Sequence, residues 1–287
     1  MDTNTRFYDY IFLGLAQNCE KHLYKFFNMI DKLSQNFKII VLIGENGSDD
    51  LTFHRIQTYI NKNINVEFID TTFIERFPDR IERLANARQS LKNYLSINKI
   101  VSKYICVVDL DDVLNESFNT DFIGMMTNLL KKNEQKYFGI SVKSKPFYYD
   151  ILNFESDEFP NYSIKQLQNN KTIKSYWDRK RLIYDVQKKL TLKDKVECIS
   201  AFNGFCIYLY NDFKISYYLD KNKDVTPEHL HLNRIIHKTT KKKMLVSDHN
   251  LQMPNEHKPL DNISLFIFEK LIKYISIFFK NIFKNVS

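Results

Sequence analysis

Glycine and proline are scarce, six of each in 287 residues. So few exclude long flexible linkers of the Gly- or Pro-rich kind. No internal repeat is visible, which excludes solenoids and propellers. The four cysteines, Cys19, Cys106, Cys198 and Cys206, form no C-x-x-C pair. That argues against a structural zinc site and a disulfide scaffold, and reduced thiols point to a cytosolic setting. Residues 1–10 lack the charged-then-apolar order of a signal peptide. Zinc-finger, RRM and KH patterns are missing too, so nucleic acid is not expected as a partner. What is present is 44% apolar and 26% charged residues, enough for a soluble domain with a substantial core. The net charge is +8, with Lys238, Lys241, Lys242 and Lys243 clustered. A basic surface suits phosphate-bearing substrates or an anionic membrane.

The most informative stretch is Tyr104-Ile105-Cys106-Val107-Val108-Asp109-Leu110-Asp111-Asp112. Its apolar run is short and continuous, as in a strand buried on both faces. Three carboxylates then fall at the strand's C-terminal end, where open α/β sheets bind ligands. Asp109 and Asp111 can serve one hard cation such as Mg²⁺ or Mn²⁺, with phosphate oxygens completing the shell. Read blandly, Asp clusters after strands are turn residues.

Upstream, residues 10–15, 37–43 and 66–70 read as strands. Helical periodicity marks residues 23–33, 53–60 and 80–95. This β-α-β-α-β-α-β alternation predicts a mostly parallel central sheet with helices on both faces. Downstream, 137–142 and 243–247 read as strands, and 226–237 as a helix with Pro227 near its first turn. Residues 196–208 read as two strand pieces around a turn at Asn203-Gly204. The stretch 145–194 reads as irregular, a substrate-covering loop region. Tyr148, Tyr149 and Trp177 are expected to pack rather than to stack on a sugar, in a chain with 17 Tyr and 23 Phe.

Three segments resemble the GT-A glycosyltransferases, the nucleotide-sugar-dependent family with a Rossmann-like domain. They are the polar turn at Gln17-Asn18, the strand end Glu45-Asn46-Gly47-Ser48-Asp49-Asp50, and Arg83-Leu84-Ala85-Asn86-Ala87-Arg88-Gln89 ahead of the Asp-x-Asp strand. Residues 196–237, with Asn203-Gly204 and Glu228-His229, are similar to the capsule-associated mannosyltransferase group. Gln89 departs from the family's usual Asn. The resemblance implies a GT-A-like domain over 1–260, its nucleotide-binding half at 10–115 and its acceptor half at 116–260. It implies that Gln17, Asn18 and Glu45 face the nucleotide. Arg83 or Arg88 would stand by the pyrophosphate, Asp109 by the ribose and metal, and Asp111 on the metal. Asp112 is unassigned. Glu228 would be the acceptor-side base, and His249, after the last strand, a third metal ligand ahead of His231. The implied activity is transfer of a sugar from a UDP- or GDP-sugar to a glycan or lipid-linked acceptor, with Mn²⁺ or Mg²⁺.

Two other readings fit part of the chain. Asp109-Leu110-Asp111-Asp112 also resembles the first motif of haloacid-dehalogenase-type phosphatases, with Asp109 as nucleophile and Asp111 as general acid/base. No later Gly-Asp-x-x-x-Asp pair follows. A non-catalytic nucleotide- or glycan-binding relative is the third reading. Finally, residues 261–287 read as an amphipathic helix. Lys270, Lys273, Lys280 and Lys284 lie on one arc and Phe268, Leu271, Ile275, Phe278 and Phe279 on the other. That pattern predicts a peripheral anchor on the cytoplasmic face of an anionic membrane, and hence a role in cell-surface polysaccharide or lipopolysaccharide synthesis.

Overall fold

Strands that are apolar along their whole length need cover on two faces. The computed structural model, which describes residues 5–63, 65–159, 176–219 and 226–257, supplies it. The first half runs β1 (Arg6–Ala16), α1 (Glu20–Ser34), β2 (Ile39–Glu45), α2 (Thr52–Ile60), β3 (Val66–Asp70), α3 (Arg80–Ile97) and β4 (Ile100–Asp109). The second runs α4 (Thr120–Lys132), β5 (Tyr137–Lys145), α5 (Tyr176–Leu192), β6 (Val196–Cys198), β7 (Phe205–Leu209), α6 (Tyr210–Phe213), α7 (Glu228–Thr240) and β8 (Lys243–Gln252). One eight-stranded sheet has the order β3-β2-β1-β4-β7-β5-β8-β6. The pairs β1–β2, β1–β4, β2–β3 and β5–β8 are parallel. The pairs made by β7 and β6 are antiparallel.

Side chains alternate between the two faces. Tyr10, Phe12, Val41, Cys106 and Val108 join Phe26 of α1 and Met126 of α4 in one core. Ile11, Leu13, Leu42, Ile105 and Val107 join Leu91 of α3 and Ile236 of α7 in the other. Every residue of β2 is buried. Residues Met1–Met253 form one compact unit, and Pro254–Ser287 a second. The tail at 261–287 and the side chain of Trp177 lie outside the described residues. Among the described residues no helix is long and apolar enough to cross a membrane.

Three details of the second half differ from the sequence reading. Residues 176–192 are helical, so the irregular region is shorter than expected. The last strand continues through 248–250 to Gln252. The two strand pieces around Asn203-Gly204 do not pair with each other: β7 lies between β4 and β5, and β6 lies against β8. Both Asn203 (φ 59°) and Gly204 (φ 85°) are left-handed. They redirect the chain into the sheet interior rather than closing a hairpin.

Candidate active site

The ends of β1 and β2 are knitted into one rim. Asn18, itself left-handed at φ 51°, donates its N–H to Ser48 Oγ (3.0 Å), and its Oδ1 accepts from the Asp49 N–H (2.8 Å). Gln17 Nε2 reaches the Asn46 carbonyl at 3.4 Å. Glu45 is buried, and its carboxylate accepts from the N–H groups of Gly47 (3.2 Å) and Ser48 (2.6 Å). Glu45 therefore shapes the turn that the strand presents. Gln17 and Asn18 border the same turn.

Beyond β4, apolar anchors fix the acidic loop. Leu110, Val113, Leu114 and Phe118 are buried, while Asp111 and Asp112 stay half-exposed. Leu110 packs against Gly14 of β1, where a Cβ would stand 2.7 Å from Leu110 Cδ1. Asp111 Oδ1 accepts from the Val113 N–H at 3.0 Å, an Asx turn that fixes its direction.

Arg88 holds the centre. Its Nη2 donates to Asp109 Oδ1 at 2.9 Å and its Nε to Glu228 Oε1 at 3.3 Å. Its guanidinium carbon stands 5.1 Å from the Phe202 ring centre. Arg88 is 5% exposed and Glu228 4%. Burial raises the pKa of both Asp109 and Glu228, and Arg88 opposes the rise. One cation thus balances two carboxylates from β4 and α7. Arg83 is half-exposed one turn away on α3, and the Arg80 charge also lowers Asp109.

The second half builds the facing wall. Because β7 runs antiparallel to β4, its first residue meets β4's last. The Asp109 N–H donates to the Gly204 carbonyl at 2.9 Å. Asn203 is fully buried, and its Oδ1 accepts from the N–H groups of Tyr149 (3.0 Å) and Asp150 (3.2 Å). The Asp150 carboxylate accepts from Asn153 Nδ2 at 3.0 and 3.1 Å. Burial pushes Asp150 up to about 7, with the nearby Glu228 and Asp109 charges adding to the rise. Tyr148 is buried and packs edge-on against Phe154. His229 stacks on Phe202 at 3.7 Å, and neither ring nitrogen has a hydrogen-bond partner among the described residues. Burial and Arg88 hold it well below its ordinary pKa, so it is neutral.

The sequence reading singled out Asp109, Arg88 and Glu228 separately, and the structure joins them. His249, on β8, is edge-on to Phe122 at 5.9 Å. Among the described residues, no three His, Cys, Asp or Glu side chains gather closely enough to hold a metal. Asp109, Asp111 and His249 are therefore not a preassembled cage. The donor chemistry at β4 still suits a hard cation, since carboxylates there can be joined by phosphate oxygens. Asp150, Phe202 and Arg80 were missed. For Asp150 the available signal was an acidic residue soon after a strand end, the rule that singled out Asp109. For Phe202 the available signal was its place directly before the Asn203-Gly204 turn.

No protein-family model matches the chain, and no curated protein matches it in sequence. Solved structures do. A mannosyltransferase from Pyrobaculum calidifontis, in complex with GDP-Man and Mn²⁺, has TM-score 0.53 and 11% identity. That match covers 90% of this chain and 59% of that one. The S. aureus TarS fragment 1–349 has TM-score 0.45 and 13% identity, with 85% and 59% covered. Glucosyl-3-phosphoglycerate synthase from Mycobacterium tuberculosis, with Mn²⁺, UDP and phosphoglyceric acid, has TM-score 0.47 and 12% identity, with 90% and 74% covered. The chain spans about three-fifths of the length of the first two. With its mixed sheet and helices on both faces, the chain has the GT-A, Rossmann-like fold.

Proposed function

We propose that this chain is a glycosyltransferase that moves a sugar from a UDP- or GDP-sugar to a hydroxyl of a glycan or glycolipid. The observation that carries the reading is the strand-end carboxylate pair of β4. Asp109 is fixed by Arg88, and Asp111 is presented half-exposed beside it. The likeness to a mannosyltransferase that binds GDP-Man and Mn²⁺ supports the same reading. Asp111 would hold Mn²⁺ or Mg²⁺ together with diphosphate oxygens. When bound, the metal would neutralise the leaving diphosphate.

Other roles fall to the chain's own side chains. Arg83 and Arg80, on the less buried side of α3, are the cations available to the diphosphate; Arg88 is engaged by two carboxylates. The rim from Gln17, Asn18 and Glu45 receives the nucleoside. Two carboxylates can take the acceptor's proton, Glu228 and Asp150. A base must reach that proton and titrate near the working pH. Asp150 meets the second condition, with its pKa near 7, and is the more exposed of the two. The lysine-rich tail is the sequence feature that favours a lipid-linked acceptor and a peripheral site on the cytoplasmic face.

The test is metal-dependent hydrolysis or transfer with a panel of UDP- and GDP-sugars. Asp111→Ala is expected to lower the rate by about 10²-fold or more while the thermal transition is kept. Unchanged activity in that variant would sink the assignment. Phosphate release from phosphomonoesters, without need of a nucleotide sugar, would favour the phosphatase reading instead.

A further inference from the structure

We propose that the cleft between the start of α4 and the end of β8 binds a neutral sugar residue of the acceptor, resting on the transferase reading above. The cleft measures about 620 Å³, a size that suits a small ligand. It opens at the C-terminal ends of β5 and β8, the sheet end that also carries Asp109. It is tied to the acidic loop directly: the Gln252 N–H donates to the Val113 carbonyl at 3.2 Å, two residues past Asp111.

The strand is deformed to build this cleft. Ser141 pairs with Val246 and Lys143 with Asn250, so β8 carries two more residues than β5 between those pairs. A bulge of this kind re-aims side chains and recurs next to functional sites. Here it brings Asp248, His249 and Asn250 into the lining.

The lining combines polar and apolar groups, as sugar binding needs. Asp121 and Asp248 are exposed, and their carboxylates accept no hydrogen bond from a described residue. Ionised carboxylates accept from hydroxyl groups, and the side-chain amides of Asn115 and Gln252 add donors and acceptors. The half-exposed His249, set edge-on against the buried Phe122, and the 47%-exposed Met125 offer an apolar surface for C–H groups. Among the described residues Lys145 is the one lysine or arginine in this lining, against two carboxylates. A phosphate or other polyanion is therefore disfavoured, and the donor's diphosphate belongs at the arginine side.

The experiment uses the full chain labelled with [¹³C-methyl]methionine. Met125 reports on the cleft, while buried Met29 and Met244 serve as references. The probes are methyl glycosides of glucose, galactose, mannose and N-acetylglucosamine, with glycerol 3-phosphate as the anionic control. A saturable shift of Met125 with a neutral glycoside, with the reference methyls still, is expected. Asp248→Ala and Asp121→Ala should each weaken it about tenfold, without altering stabilisation by nucleoside diphosphate and Mn²⁺. Silence of Met125 with every neutral glycoside overturns the proposal. So does a shift undiminished in both variants, or one seen only with glycerol 3-phosphate. If nucleotides still bind, such a failure removes the cleft but keeps the transferase reading. Sugar binding in a chain that binds no nucleotide would overturn the acceptor role.

Discussion

The two halves of the sheet are built differently. From β3 to β4 all strands are parallel, each joined to the next by a helix, and the strand ends supply turns. From β7 to β6 directions are mixed, with β5 and β8 parallel to each other and antiparallel to β7 and β6, and sequence neighbours are not sheet neighbours. The first half presents residues at or just past the C-terminal ends of strands, such as Glu45, Asp109 and Asp111. The second presents residues that precede one, Asn203 and Gly204, because β7 enters where β4 leaves. A reversed strand thus turns its entry turn into a wall of the site. Charge follows the same division. Arg88 and Asp109 come from the parallel half, and Glu228 from the other.

The largest expected effect breaks the joint itself. Arg88→Met leaves the buried Glu228 carboxylate and the half-buried Asp109 carboxylate without their cation, and should cost about 3–5 kcal/mol in denaturant unfolding. A loss under about 1 kcal/mol would mean that the two halves do not depend on this ion pair. Next is the reversed strand's entry. At Gly204 a Cβ would stand 2.6 Å from Val113 Cγ1 and 2.8 Å from Tyr149 Oη, in a left-handed residue. Gly204→Ala should cost about 1–3 kcal/mol and displace the acidic loop, read as weaker Mn²⁺-dependent nucleotide binding.

Asp150 gives a smaller, pH-dependent effect. Its folded pKa, about 7, lies above the ordinary 3.8, so the native chain keeps a proton that the unfolded chain has released. The stability tied to this proton is present below the ordinary value and lost as pH rises through that window. Asp150→Asn should therefore melt higher than the parent at pH 8, with the gain shrinking toward pH 4. A gain independent of pH would place its cause outside titration. The smallest effect belongs to the first half. Asp79 caps α3 by accepting from the Ile81 and Glu82 N–H groups, and Asp79→Ala should cost about 1 kcal/mol without altering ligand binding.

The same division explains what could be read from the sequence. β1 to β4 were legible because their pattern is local: continuous apolar runs, helical stripes, and polar residues at each strand end. Asp109 and Asp111 stood out for that reason. The Asn203-Gly204 turn was legible as a turn, but not its destination, since sheet order depends on partners far away in sequence. The Arg88 triad was hidden likewise. Residues 88, 109 and 228 each looked functional, yet no periodicity links them. The resemblance put Arg83 or Arg88 beside the pyrophosphate without choosing between them, because exposure is not written in a helix's residue types. Here Arg88 faces inward, and Arg83 and Arg80 remain on the less buried side.

The triad also has a consequence in time. Arg88 and Asp109 leave the ribosome long before Glu228, and domains begin to form as they are made. A growing chain can assemble the parallel half with Arg88 matched by Asp109 alone. Until α7 arrives, that arginine lacks the second of its carboxylate partners, and β4 lacks β7 along one edge. The last-made part of the domain therefore completes both the charge balance and the sheet of the first.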